Sequence, residues 1–154
     1  MRILLAALAL ALSLPAAADA PDWKLISQTG RPGEIIFWYV DASSIVRTDQ
    51  FLRAHLRTTW SRPQIGPDNT PYQSSTYLNY FDCGKRRIAY TANTYYVSPE
   101  PAGDPVHEEP EQPLAKLNFQ PVSPGSAGAT RLDFVCKYRG KQILTRLDQR
   151  SPRG

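Results

Sequence analysis

Tyr72-Gln73-Ser74-Ser75-Thr76-Tyr77-Leu78-Asn79-Tyr80-Phe81-Asp82-Cys83-Gly84-Lys85-Arg86-Arg87-Ile88-Ala89-Tyr90-Thr91-Ala92-Asn93-Thr94-Tyr95-Tyr96 is the stretch whose reading decides the fold. It reads as two extended segments meeting at Cys83. Thr76 to Phe81 is strand-like by composition, and Arg86 to Val97 alternates with Ile88, Tyr90, Ala92 and Tyr96 on one face. Gly84 stands where a tight turn or a bulge would use positive φ. Two adjacent segments of similar length predict an antiparallel pair. The second cysteine, Cys136, lies in the best candidate for a helical segment, so a Cys83–Cys136 bond would pin a helix to a sheet.

Whether that bond forms depends on the compartment. Arg2, the apolar run Ile3 to Leu14, Pro15 and the following alanines have the three-part pattern of a secretory signal over residues 1–18. The run is shorter than the roughly 20 residues a membrane-spanning helix needs. Cleavage after Ala18 is preferred over Ala20, which Pro21 follows. No later segment is apolar enough to span a bilayer, so the mature chain is expected to be exported, periplasmic or secreted, and without a transmembrane segment. No cysteine near the cleavage site offers a lipid acceptor, so no lipid anchor is expected. Two cysteines in an oxidising compartment usually pair. At a separation of 53 residues the bond would contribute roughly 4 kcal/mol through the unfolded chain. Two free buried thiols, or one intermolecular bond, are the alternatives.

Removing residues 1–18 from 154 leaves 136, one domain able to bury a core of its own over residues 19–147. Ile35 to Val40 is β-branched and aromatic on both faces, which predicts a central strand covered twice, or else an exposed aromatic patch. Trp23 to Ser27 is a shorter strand candidate, with turn chemistry at Gly30-Arg31-Pro32-Gly33. Gln50 to Trp60 alternates cleanly. Leu52, Ala54, Leu56 and Trp60 share one face, and Arg53, His55 and Arg57 share the other. That row of cations is either an anion-binding surface or plain solvation. Ser61 to Pro71 reads as a loop.

Ser98 to Pro113 carries five prolines and five acids (Glu100, Asp104, Glu108, Glu109 and Glu111) without Lys or Arg. It cannot be a helix or a central strand and is predicted as a mobile acidic excursion. Leu114 to Phe119 is a candidate last strand. Ser126 suits an N-cap for a helix from about Ala127 to Arg139, with Ala129, Leu132, Val135 and Cys136 on one face and Gly140 past its end. A strand competes, because Leu132, Phe134, Cys136 and Tyr138 also alternate. A short element at Gln142 to Leu147 and a frayed tail over residues 148–154 complete the reading.

Motifs for catalysis are missing. Two histidines, His55 and His107, have no zinc spacing with the cysteines. No H-E-x-x-H, G-x-S-x-G or phosphate-loop pattern occurs. The expectation is a non-enzymatic protein with no cofactor and no metal. A hydrolase using two converging carboxylates is the one catalytic alternative, since such pairing is invisible in sequence. Aromatic content points to binding instead. Eight Tyr, five Phe and three Trp exceed what one small core needs, and tyrosines on a sheet make rigid, amphipathic contact surfaces. Tyr95 and Tyr77 are the expected exposed members, alongside Arg53, His55 and Arg57. The net charge of +4 gathers toward the C-terminal end, with Arg131, Lys137, Arg139, Lys141, Arg146, Arg150 and Arg153, so a polyanion such as heparin is a second partner class; nothing points to specific nucleic acid.

The ordered landmarks carry a family resemblance. Trp38-Tyr39-Val40-Asp41-Ala42-Ser43-Ser44-Ile45 ends one strand; Tyr72-Gln73-Ser74-Ser75 and Tyr80-Phe81-Asp82-Cys83 follow; Pro124-Gly125-Ser126 leads into a helix bearing Val135-Cys136. Over about residues 23–139 the chain resembles the surface-adhesin E family of small exported bacterial proteins. The resemblance implies an α+β fold in which a single antiparallel, meander-like sheet of about five or six strands is packed by one C-terminal helix. It implies that Cys83–Cys136 ties the two together, and it favours the helix over the strand. It also implies a protein partner among host matrix or serum proteins. The chain departs from the family pattern in lacking a lipobox cysteine and in its longer acidic loop. An alternative role is a soluble periplasmic inhibitor or assembly partner of another envelope component.

Overall fold

Pro32 and Gly33 close the first hairpin. Proline presets φ at the first turn position, and Gly33 takes the second at φ 85°. The turn joins β1 (Trp23–Arg31) to β2 (Glu34–Asp41), with Arg31 opposite Glu34 and a bulge between Leu25 and Ser27. These coordinates come from a computed structural model that describes residues 20–138. The signal segment 1–18, the Arg139 and Gly140 helix end, the element at residues 142–147 and the tail 148–154 lie outside the described residues.

Asp41 ends β2 by turning the chain. Its carboxylate accepts from the amides of Asp22 and Ser43 and from the Ser43 hydroxyl. A short 3-10 turn (Ala42–Ser44) then leads to β3 (Val46–Thr48) and β4 (Phe51–Ile65). β4 is longer than expected. It runs through Pro63, because the pairing with the next strand is interrupted between Thr59 and Gln64 and no ladder bond is asked of that proline. The predicted loop 61–71 therefore shrinks to residues 66–70. β5 (Pro71–Asp82) and β6 (Arg87–Tyr96) form the expected hairpin, followed by β7 (His107–Glu109) and β8 (Gln120–Pro121). The sheet order is β1-β2-β4-β5-β6-β7, with β3 paired to β4 and β8 to β6. Among the described residues there are eight strands rather than five or six; six make the meander, and the two short ones pair beside β4 and β6.

The helix α1 (Ala127–Lys137) begins where the sequence placed it, with Ser126 Oγ accepting from the Ala129 amide at 3.1 Å. Ala129, Leu132 and Val135 are buried, and Leu132 and Val135 join Val40, Ala54, Leu56, Phe81 and Ile88 in the core. Truncating a fully buried leucine such as Leu132 costs about 2–5 kcal/mol, so this one helix holds a large share of the stability. Cys136 is bonded to Cys83 with Cα atoms 5.8 Å apart, at the turn that joins β5 to β6. Asp82 shapes that turn by accepting from the Lys85 amide, and positive φ falls on Arg86, at 51°, instead of Gly84.

Three expectations are corrected here. The face assigned to Ile88, Tyr90, Ala92 and Tyr96 is split by a bulge, because Leu78 pairs with Ala92 while Asn79 pairs with Tyr90. The extra residue, Thr91, is buried; Tyr90 is 71% exposed, and Ala92 and Tyr96 turn to the opposite face from Ile88. Leu114 to Phe119 is not a strand. Leu114–Lys116 is a 3-10 turn and only Gln120–Pro121 pairs. The Pro-rich segment is not a free excursion either. The Ser74 and Thr59 hydroxyls donate to the Ser98 and Pro99 carbonyls, Val106 and Gln112 bond the β6 edge, and Phe119 stacks on Phe51. Its prolines confine regular structure to the three-residue β7, and side chains of the sheet satisfy the Ser98, Pro99 and Gln112 carbonyls. It lies as a strap across the face that α1 leaves uncovered.

Candidate functional site

Ring contacts join Trp60 of β4, Tyr72 of β5, Tyr95 of β6 and His107 of β7 in a row. Trp60 meets Tyr72 edge-on at 5.0 Å, Tyr72 meets Tyr95 edge-on at 4.9 Å, and Tyr95 lies 5.7 Å from the His107 ring. All four are half-buried. The loop between β4 and β5 leans on this row: a side chain at Gly66 would stand 2.8 Å from the Tyr72 ring, and Asp68 reaches His107 Nδ1 at 3.4 Å. Burial raises the Tyr72 hydroxyl above its ordinary pKa; it does the same at Tyr95, with Glu109 adding to it. Both remain neutral donors at physiological pH. Asn93 Nδ2 donates to Tyr95 Oη at 2.7 Å and fixes its ring. Rigid rings with one polar edge in water suit contact with another macromolecule.

The expected site residues separate into four places. Tyr95 belongs to the aromatic row. Tyr77 is not an exposed aromatic: its hydroxyl pairs with Thr58 at 2.9 Å and accepts from Arg131 Nη1 at 2.9 Å, beneath α1. Arg53, His55 and Arg57 do share the face opposite the helix, but they are not a solvated row. Arg57 is 8% exposed, packed 4.1 Å from the Tyr39 ring centre and 5.4 Å from that of Trp23. His55 keeps an exposed edge, yet loss of solvation lowers its pKa, with Arg53 adding to the effect and Asp41 opposing it. Arg53 is half-buried. Cys83 and Cys136 form the disulfide and serve the fold.

Trp60, Tyr72 and His107 were not singled out by sequence reasoning. Trp60 and Tyr72 bracket Gly66-Pro67-Asp68-Asn69, a turn signal that would have placed them together had residues 61–71 been read as a hairpin tip. No sequence signal foretold His107, because its strand is three residues long. Likewise, nothing marked Trp23, Tyr39 and Glu100 as neighbours of Arg57. No group of three or more metal-ligating side chains converges among the described residues. Nor does any described helix have the length and apolarity to cross a membrane.

The fold is similar to that of Haemophilus influenzae protein E in two solved structures. One aligns with a TM-score of 0.53 at 12% identity, covering 81% of this chain and 90% of that one. The other, a second crystal form, aligns at 0.52 and 13% identity, covering 74% of this chain and 94% of that one. Identity this low speaks for the fold alone. No curated protein matches the sequence. A family profile described as surface-adhesin protein E matches residues 23–137, nearly the whole of the sheet, strap and helix described above. The chain belongs to the surface-adhesin protein E family.

Proposed function

We propose that this is an exported, non-enzymatic binding protein that engages a matrix or serum protein of a host through its aromatic row. The observation that carries this reading is the half-exposed line of Trp60, Tyr72, Tyr95 and His107 across four strands. Trp and Tyr are the side chains that most often dominate protein interfaces, and these are held rigid by one another and by Asn93. Family membership supports an adhesive role.

The test is surface plasmon resonance of the mature chain against a panel of matrix and serum proteins at physiological salt. Saturable binding is expected, and Trp60→Ala or Tyr95→Ala should weaken it by roughly tenfold or more. No saturable binding to any member would end the host-protein reading. Surface labelling with cell fractionation decides between display on the cell and residence in the periplasm.

A further inference from the structure

Arg57 is held in an unusual way for a basic residue on a sheet face. Tyr39 and Trp23 flank its guanidinium, and Nη1 donates to Glu100 Oε2 at 2.5 Å. The pair is lopsided: the Arg57 side chain is 10% exposed and that of Glu100 is 71% exposed. Arg57 Nε is buried and, among the described residues, has no acceptor. A carboxylate that matches an arginine fork takes two parallel N–H bonds. Glu100 takes one, from a position mostly in water, and so contributes no more than an exposed ion pair. Its segment meets this face through the Ser98 and Pro99 carbonyls, and residues 98–113 contain no Lys or Arg.

We propose that Arg57, set between Tyr39 and Trp23, is a carboxylate-binding site that Glu100 occupies at rest, and that its ligand is an acidic segment of a partner polypeptide that displaces Glu100. This rests on reading the protein as a binding module. Glu100 engages Nη1 alone, so an incoming carboxylate that takes two N–H bonds from the fork outcompetes it. A peptide carboxylate fits better than a sulfated polysaccharide. The site offers one planar fork between two rings, and Arg53 on the same face is half-buried, whereas a polyanion needs several exposed charges in line. The strap makes the site self-limiting, since its own acids compete for the arginine.

The experiment measures fluorescence anisotropy of a short labelled glutamate-rich peptide with the full mature chain at physiological salt. Glu100→Gln should tighten binding about two- to fivefold over the unaltered protein. Adding Arg57→Gln should abolish that gain. Arg57→Lys, which keeps the charge but not the fork, should abolish it too and serves if the glutamine variant fails to fold. No tightening on Glu100→Gln, or a gain that survives both Arg57 changes, overturns the proposal. So does a gain seen with labelled heparin and not with the peptide. The peptide keeps the two readings apart: no matrix binding by the unaltered protein, with the tightening on Glu100→Gln still seen, bears only on the proposed function.

Discussion

Arg131 Cζ lies 4.5 Å from the centre of the Trp38 ring while its Nη1 donates to Tyr77 Oη at 2.9 Å. One side chain of α1 thus grips β2 and β5 at once, beyond the reach of the buried stripe of Ala129, Leu132 and Val135. Arg131→Ala should destabilise the domain by about 1–2 kcal/mol, the sum of a partly desolvated cation–π contact and one hydrogen bond. Arg131→Lys should restore only part, because an ammonium lacks the planar fork. Urea denaturation measures both. A double-mutant cycle with Tyr77→Phe should show coupling above about 0.5 kcal/mol, and strict additivity would refute the contact as an energetic link.

The disulfide holds the same helix from its other end. Cys83 sits in the β5–β6 turn and Cys136 in the last turn of α1, 53 residues apart in the chain. Cys136→Ser should cost roughly 2–5 kcal/mol, read from the urea midpoint. Alkylation of the oxidised protein should give no mass shift without reductant. Two modified thiols would refute the bond.

Asp82 gives the domain an acid limb. Its carboxylate accepts from Arg87 Nη2 at 2.7 Å and from the Lys85 amide at 3.0 Å, and these hold its pKa below the usual carboxylate range, the arginine bond foremost. A depressed folded pKa stabilises fully above the unfolded value of about 3.9 and is lost as pH falls through the folded one. Asp82→Asn should therefore lower stability at neutral pH and flatten its decline below about pH 4. Urea midpoints taken from neutral pH downward check this; parallel curves for the two proteins would count against it.

How far the sequence led can be judged from these same residues. The N-cap at Ser126, the stripe Ala129-Leu132-Val135 and the Cys83–Cys136 pairing were legible, because capping chemistry, helical period and redox compartment are local or compositional signals. The period-two reading of β6 failed at Thr91, since a bulge inserts one residue without any mark in composition and reverses every face beyond it. Arg57 misled for a different reason. An arginine alternating with apolar residues reads as solvated, and nothing in β4 reveals that Glu100, Trp23 and Tyr39 converge on it from distant parts of the chain. The strap was misjudged because proline content limits regular structure, here to the short β7, without forbidding order. The aromatic row was legible only in part: Tyr95 stood out by composition, but its contacts with Tyr72 and His107, and that of Tyr72 with Trp60, depend on how distant strands and the β4–β5 loop meet.

The strap's second limb offers the sharpest test of that order. Phe119 stacks on the buried Phe51 with centroids 4.6 Å apart, and Arg87 Cζ lies 5.5 Å from its ring. Phe119→Ala should cost about 1–3 kcal/mol, from the lost stacking and part of the ring's burial. The loss should be local. Gln112 donates its amide to the Thr91 hydroxyl at 2.6 Å, and the Thr91 hydroxyl donates to the Gln112 carbonyl at 2.8 Å. These bonds hold the strap to β6 between its two pairing segments. If Phe119 anchors the limb, hydrogen exchange at Gln112 should speed up in the variant while amides of the β4–β5 ladder stay protected. Uniform acceleration across the sheet would instead mean that Phe119 belongs to the core and that the strap does not open on its own. Glu100 lies on the other limb, tied down by Ser74 and Thr59 hydroxyls, so its contact with Arg57 should survive Phe119→Ala and respond only to changes at its own end.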